Sequence, residues 1–297
     1  MSIHTTSRMH EAIRGKSEPA RDAAGRKVDI LKDLDALKIA EDFHTSLHDV
    51  YKESLKTGIY PCRYLRNLDI ISPKEQLKLA ESQVAVIGAG GLGGSTILLL
   101  ARMGIGRMVV VDPDVFEETN LNRQALCTGK SLGKPKAGEA VSAVFSVNPG
   151  VKVIPYETKL TPSNAEEIIA GSDVVVDALD NVPDRLLLQD AAQKLEMPLV
   201  HGALAGFEGW VMTIFPGDPG LKDIYGIQEE NKRNAESPEA LLGVPSVTPS
   251  LIASMQVMEV LKILLKRGDA MRNRMLHIDL EGGSFNEFFL KAGDPSA

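Results

Sequence analysis

The chain has 297 residues, 43% of them apolar, a net charge of −7 and only two cysteines. That length allows one α/β domain with an appendage, and the acidic balance argues against a broad nucleic-acid-binding surface. Two cysteines exclude a four-cysteine zinc site and a disulfide framework, so no structural zinc is expected.

Cys62 and Cys127 read as small packed side chains, at home in a reducing cytoplasm. Apolar runs such as ILLLA and MVVV are short and interrupted by Arg, Asp or Gly, so no membrane span is expected. The N-terminus MSIHTTSRMHEAIRGK has no apolar core of the secretory type. A cytoplasmic location follows as the expectation.

Residues 1 to about 30 are polar and charged, and are expected to be mobile. Residues 30–57 carry apolar side chains at helical spacing, which predicts two short helices joined near Phe43. Ser72-Pro73 predicts the start of another helix. From Gln83 the pattern alternates: strand QVAVI, helix GLGGSTILLLARM, strand RMVVVD, helix KPKAGEAVSAVFSVN, strand VKVIPYE, helix SNAEEIIAG, strand DVVVDAL, helix VPDRLLLQDAAQKLE and strand PLVHGAL.

Apolar strands alternating with helices predict a doubly wound, mainly parallel Rossmann-like sheet. GWVMTIFP reads as an antiparallel outer strand, residues 217–247 as a long mobile loop, PSLIASMQVMEVLKILLK as an amphipathic helix and RMLHIDLEGGSFNEFFL as a closing hairpin. The expected organisation is an N-terminal helical extension at 1–62, partly mobile, and one α/β domain with C-terminal antiparallel strands at 63–297.

Gly88, Gly90 and Gly93 form G-x-G-x-x-G between a strand and a helix, the context in which such glycines cradle a nucleotide phosphate. Asp112 ends the next strand, where a carboxylate accepts from ribose hydroxyls. DPDVFEETNLNRQ then gathers Asp114, Asn120, Arg123 and Gln124, and GKPK adds Lys134 and Lys136. Such a set suits a triphosphate better than a nicotinamide dinucleotide, because the extra charge must be neutralised and oriented.

Asp180, in VVDALDN, lies at the carboxyl end of a strand, where it can hold Mg²⁺ against phosphates or cap the following helix. Asp177 and Arg185 read as structural. His201 reads as a packed or hydrogen-bonded histidine.

RYLRN, GAGGLGG, D-x-D-x-V…TNLNRQ, GKPK and DALDN…R together resemble the MoeB/ThiF/HesA family of ubiquitin-activating-type adenylyltransferases. LLGVPSVTPSLIASMQVMEVLKILL also looks like the segment leading into that family's C-terminal helix. The resemblance covers roughly Arg63 to Lys266.

It implies that Gly88, Gly90 and Gly93 form the nucleotide turn, that Asp112 binds ribose, and that Asn120, Gln124, Arg123 and Lys136 serve the nucleotide and its phosphates. Asp180 would hold Mg²⁺. Arg66 would reach into the ATP site of a second copy, so a homodimer is implied. The implied reaction is ATP- and Mg²⁺-dependent adenylation of the C-terminal glycine of a small Gly-Gly-ended ubiquitin-like sulfur carrier, with the 217–247 loop over the incoming tail. Adenylation needs no general base, since the carboxylate is already ionised; it needs charge neutralisation and positioning.

The chain departs from the family in lacking the two zinc cysteine pairs and a cysteine near Glu239, so no covalent carrier link is expected. Three alternatives remain at this point. One is a dehydratase of the same family acting on a carboxylate of a modified tRNA base; another is an NAD-dependent oxidoreductase; the third is a binding module that has lost turnover.

Overall fold

The computed structural model describes residues 3–226 and 241–290. They form two compact units: one built from residues up to Ser82 together with Ala101–Arg107 and Val144–Lys152, the other from the remaining segments.

In the first unit, α1 (Ile3–Lys16) leads into an antiparallel hairpin of β1 (Glu18–Arg21) and β2 (Lys27–Leu31). This corrects the expectation of a mobile segment before residue 30. Met9 and Ile13 stand four residues apart, on one face of α1, and both are fully buried with Leu31, Ile39, Val50 and Tyr51. Burying each contributes about 1.5–3 kcal/mol, enough to hold an otherwise polar helix in place. The two predicted helices are present as α2 (Asp33–Asp42) and α3 (Leu47–Lys56), joined through Phe43.

The short strand β3 (Tyr60–Pro61) runs parallel to β2 and opens into a 3₁₀ turn, Cys62–Asn67. Arg63 in that turn is tied to Asp33, to Tyr51 Oη at 3.0 Å and to the carbonyl of Val147 at 3.0 Å. Helix α4 (Pro73–Glu81) starts where Ser72-Pro73 predicted, with a reciprocal cap between Ser72 and Glu75.

The second unit is organised by an eight-stranded sheet in the order β11-β10-β9-β8-β7-β4-β5-β6. Its strands are β4 (Gln83–Ile87), β5 (Arg107–Val111), β6 (Lys152–Tyr156), β7 (Val174–Asp177), β8 (Leu199–Ala205), β9 (Glu208–Ile214), β10 (Arg274–Asp279) and β11 (Ser284–Phe289). β4, β7 and β8 pair in parallel, whereas β9, β10 and β11 continue from β8 as antiparallel strands. The helices are α5 (Gly91–Met103) and α6 (Lys136–Val147), whose last residues from Ala101 and Val144 belong to the first unit, then α7 (Ala165–Ile169), α8 (Val182–Lys194), α9 (Leu221–Tyr225) and α10 (Val247–Leu265). The doubly wound, mainly parallel sheet with C-terminal antiparallel strands is thus as the alternation predicts.

Ala85, Ile87 and Val175 share one core with α7 and α8, through Ile168, Ile169, Leu188 and Ala191. On the other side Leu92 of α5 and Ile252 and Ala253 of α10 pack with Val211, Leu276 and Ile278. Because both faces are covered, the central strands read as continuous apolar runs rather than alternating ones.

Two expectations about the C-terminal half change. By length and composition α10 is a 19-residue helix apolar enough to cross a membrane, although Ser250, Gln256 and Glu259 interrupt its apolar run. It packs instead on the sheet, with Thr248, Ile252, Gln256, Glu259 and Val260 all buried. The 217–247 segment is also not wholly irregular: α9 forms within it, and residues 227–240, including Glu239, lie outside the described residues.

Candidate functional site

β5 flanks β4 on one side and β7 on the other, so the chain winds outward in both directions from β4. In open α/β sheets, ligands bind at the carboxyl ends of the strands where the order reverses. The loops after β4, β5, β6 and β7 line a cleft of about 380 Å³ there, with Gly88, Gly90, Asp112, Gln124, Lys136, Lys159, Asp180 and Asp184 among its walls.

Gly88 turns the chain at φ +98°, and its N–H donates to the carbonyl of Val111 at 2.8 Å. An added Cβ would sit 2.5 Å from the carbonyl oxygen of Ala178. Gly93 brings α5 so close that a Cβ would overlap the carbonyl of Gly88. Gly90 differs: an added Cβ would meet nothing nearer than Gln124 Nε2 at 3.7 Å. Two glycines therefore serve the packing of strand, turn and helix, and the third leaves backbone open to the cleft.

Asp112 supports this turn from below. Its Oδ2 accepts from the N–H of Ala89 at 2.7 Å and its Oδ1 from the N–H of Asp114 at 2.9 Å. Burial raises its pKa, although these two donors and the nearby Lys136 pull it down. Lys136, at the start of α6, is buried in the cleft wall and donates from Nζ to Asp114 Oδ2 at 2.9 Å.

Gln124 is buried beside them, and its Oε1 has no hydrogen-bond partner, alone among buried side-chain polar atoms of the described residues. A buried amide oxygen left bare costs about 1–3 kcal/mol. A ligand that satisfies it recovers that cost, and turning the amide over would present a donor to a phosphate.

Asp180 is exposed at the cleft rim. Asn181, not Asp180, caps α8: its Oδ1 accepts from the N–H of Asp184 at 3.0 Å, while its Nδ2 donates to Asp180 Oδ1 at 3.2 Å. The capping alternative is thereby removed, and the Asp180 carboxylate faces the cleft.

A second groove of about 270 Å³ shares Ala178, Leu179 and Asp180 with the cleft. Leu92, Ala203, Leu204, Val244 and Pro249 give it apolar sides, and Arg123 and Arg185 add charge. Arg123 is steadied by the carbonyl of Thr119 at 2.8 Å and by Asn122 Oδ1 at 2.9 Å.

Not every candidate falls in the cleft. Asn120 is buried in the short turn Glu118–Asn120, where its Oδ1 accepts from the N–H of Glu117 at 3.0 Å; it is not among the lining residues. Arg66 is exposed on the 3₁₀ turn of the first unit. Lys134 is an exposed partner of Glu139, and Cys127 is packed, its thiol 3.8 Å from the carbonyl of Glu117.

Reading the sequence missed Thr158, Lys159 and Leu160 after β6, and also missed the apolar walls of the second groove. The signal for the former was their place after a parallel strand. For the latter there was none, because Leu92, Leu204, Val244 and Pro249 meet only in three dimensions.

A model of the "ThiF family" matches residues 63–296. Over 220 residues the chain is 42% identical to a SAMP-activating enzyme E1 from Haloferax volcanii, covering 73% of this chain and 80% of that one. Over 237 residues it is 36% identical to a sulfur carrier protein adenylyltransferase from Thermus thermophilus, covering 77% and 87%. Among solved structures, E. coli MccB with MccA superimposes with a TM-score of 0.68 at 18% identity, covering 88% of this chain and 84% of that one; this supports the fold. With its glycine turn, buried lysine and rim aspartate gathered at one edge of a doubly wound sheet, the chain belongs to the ThiF family of adenylyltransferases.

Proposed function

We propose that this enzyme transfers AMP from ATP to the C-terminal glycine carboxylate of a small ubiquitin-like sulfur carrier ending in Gly-Gly, releasing pyrophosphate. The observation that carries this reading is the junction of two spaces. A polar cleft sized for a nucleotide meets a smaller, apolar-sided groove at Ala178–Asp180. A slim tail without side chains fits such a groove, and its carboxylate would arrive where the cleft holds the α-phosphate. The names of the two curated relatives support this substrate class.

In the reaction a carboxylate oxygen bonds to the α-phosphorus while the bond to the pyrophosphate oxygen breaks, and no proton moves. The work of the chain is to align two anions and offset their charge. Lys136 and Gln124 serve the nucleotide from the cleft wall, Gly90 admits the phosphates, and Arg123 faces the junction from the groove. Asn120 acts in this reading through the turn that presents Arg123.

No three His, Cys, Asp or Glu gather as a metal site among the described residues. Asp180, exposed at the rim, suits Mg²⁺ shared with phosphate oxygens, and the ion would supply charge neutralisation there. The reading includes a homodimer in which Arg66 acts on the partner's site, and places the reaction in the cytoplasm.

Pyrophosphate–ATP exchange tests it. Exchange should depend on a Gly-Gly-ended carrier and vanish when the terminal glycine is removed. ATP binding without exchange, across a panel of such carriers, would refute the reading. For the dimer, mixing inactive R66A and D180A chains should restore part of the activity; no restoration would refute action across copies.

A further inference from the structure

β8 lies between β7 and β9, and its two neighbours accompany it for different lengths. Its pairing with β9 runs the whole way, from Leu199 opposite Ile214 to Ala205 opposite Glu208. Its pairing with β7 stops at His201 opposite Asp177, where the chain leaves the sheet for the turn that presents Asp180. Backbone groups alternate sides along a strand, so Val200, Gly202 and Leu204 all face the side of β7. Beyond His201 that side has no strand to meet them.

Side chains and loops replace the missing strand, at all positions but one. Gln256 Nε2 of α10 donates to the carbonyls of Asp177 at 2.8 Å and Val200 at 3.3 Å. Arg185 Nη1 donates to the carbonyl of Gly202 at 2.8 Å, and the other arm of the guanidinium holds the carbonyl of Leu179. At Gly206 the N–H donates to the carbonyl of Gly243 at 2.8 Å, and the carbonyl accepts from Thr248 Oγ1 at 2.8 Å. Leu204 stands between these bridges, is buried, and meets no partner on that side among the described residues. Buried backbone groups are normally paired, so this rung awaits an occupant.

The gap is the apolar-sided groove itself. Ala178, Leu179 and Asp180 form one wall, Ala203 and Leu204 the other, and Arg185 closes its inner end. Asp177 Oδ2 lies 3.6 Å from Arg185 and 2.7 Å from His201 Nδ1, while His201 Nε2 stands 3.3 Å from Tyr225 Oη, so the last rung is locked by side chains as well. Because Asp177 offsets the charge of Arg185, the inner end does not hold an incoming carboxylate short of Asp180.

We propose that the last residues of the carrier tail enter this gap as a short strand and pair with the backbone of Leu204, in the place that β7 vacates. This rests on the function proposed above. From Gly202 to Gly206 is about 13 Å, room for about three extended residues. The carboxylate must finish beside Asp180, at the Arg185 end, so the tail runs antiparallel to β8. Main-chain bonds of this kind grip a tail that has no side chains to offer, which is what a Gly-Gly end requires.

Steady-state pyrophosphate exchange tests the pairing with semisynthetic Gly-Gly-ended carriers in which either the last or the penultimate glycine is N-methylglycine. Adjacent amides of an extended strand point to opposite sides, so only one of the two N–H groups can face β8. One N-methylated carrier should therefore show a KM raised about 3- to 10-fold, the loss expected of one hydrogen bond, and the other should not. The KM for ATP should stay unchanged with both. On the enzyme, L204P and L204A both lose the side chain, but only L204P loses the N–H. The carrier KM should be higher for L204P, with equal ATP affinity in calorimetric titration. Two N-methylated carriers that behave alike, or L204P matching L204A, would overturn the proposal. If the wild type adenylates no Gly-Gly-ended carrier, the parent reading fails and this inference falls with it; a wild type that accepts the unmodified carrier and both N-methylated ones equally refutes the inference alone.

Discussion

Replacing the three motif glycines one at a time by alanine should separate stability from nucleotide binding. At Gly88 the alanine would adopt φ +98° with its Cβ 2.5 Å from a backbone oxygen of Ala178. Strain at such a φ costs about 1–3 kcal/mol and overpacking about 1–3 more, or about 2–6 kcal/mol together. At about 2 °C per kcal/mol for a chain of this size, G88A should melt about 4–12 °C lower. At Gly93 the obstacle is the carbonyl of Gly88, which is backbone and cannot rotate away. The gain in helix propensity, about 1 kcal/mol, offsets only part of that overlap.

G90A has no such obstacle, and its Tm should stay within about 1 °C of wild type, a change of under about 0.5 kcal/mol. Its Cβ would instead occupy the cleft where phosphate must approach backbone, so ATP affinity should fall at least about 10-fold, or about 1.4 kcal/mol. Thermal melts with and without ATP, paired with calorimetric titration, read both quantities. G90A binding ATP as wild type does would refute the placement of phosphate at Gly90. G93A as stable as G90A would refute the packing argument for the turn.

At the rim, D180A should leave Tm unchanged and lower pyrophosphate exchange about 100-fold or more, whereas N181A, which removes the cap of α8, should cost about 1 kcal/mol of stability; equal loss of Tm in both would contradict the division of labour. M9A and I13A should each cost about 2–5 kcal/mol in urea melts, and near-neutral values would mean that α1 is not anchored as described.

For pH, burial holds His201 below the usual histidine value, with Asp177 pulling the other way and Arg185 adding to the depression. The unfolded chain therefore takes up a proton below about pH 6.5 that the native chain refuses, and stability falls as pH drops through that value. Melts between pH 7.5 and 5.5 should show a steeper acid-side decline in wild type than in H201N, by at most about 1.4 kcal/mol per pH unit; parallel slopes would refute it.

The Rossmann-like core was legible because its signals are local. VAVI and VVVD are unbroken apolar runs bounded by glycine or acid, and Ser72-Pro73 announces its helix with a cap and a fixed φ. Helix α1 was not, because its apolar stripe is only two side chains deep, Met9 and Ile13, in a polar sequence. The site divides in the same way. Gly88, Gly90, Gly93 and Asp112 declare themselves by spacing along a strand–turn–helix unit. Whether Asp180 or its neighbour caps α8 could be read only from the hydrogen bond of Asn181. His201 could only look solitary, since Asp177 and Tyr225 each stand 24 residues away along the chain. The bare oxygen of Gln124 is a property of its surroundings, and no sequence pattern records it.

The discontinuous first unit has a consequence for the order in which the chain is made. Tyr64 hydrogen-bonds to the side chain of Asn148 at 2.7 Å, and the carbonyl of Leu79 accepts from the N–H of Gly106 at 3.0 Å. Residues up to Ser82 thus leave the ribosome before their own unit can close. At about 5–20 residues per second, the wait until Asn148 is synthesised is about 3–13 s. For that interval Tyr64 and the face of α4 lack their final neighbours, and a chaperone that shields nascent apolar surface has its window there.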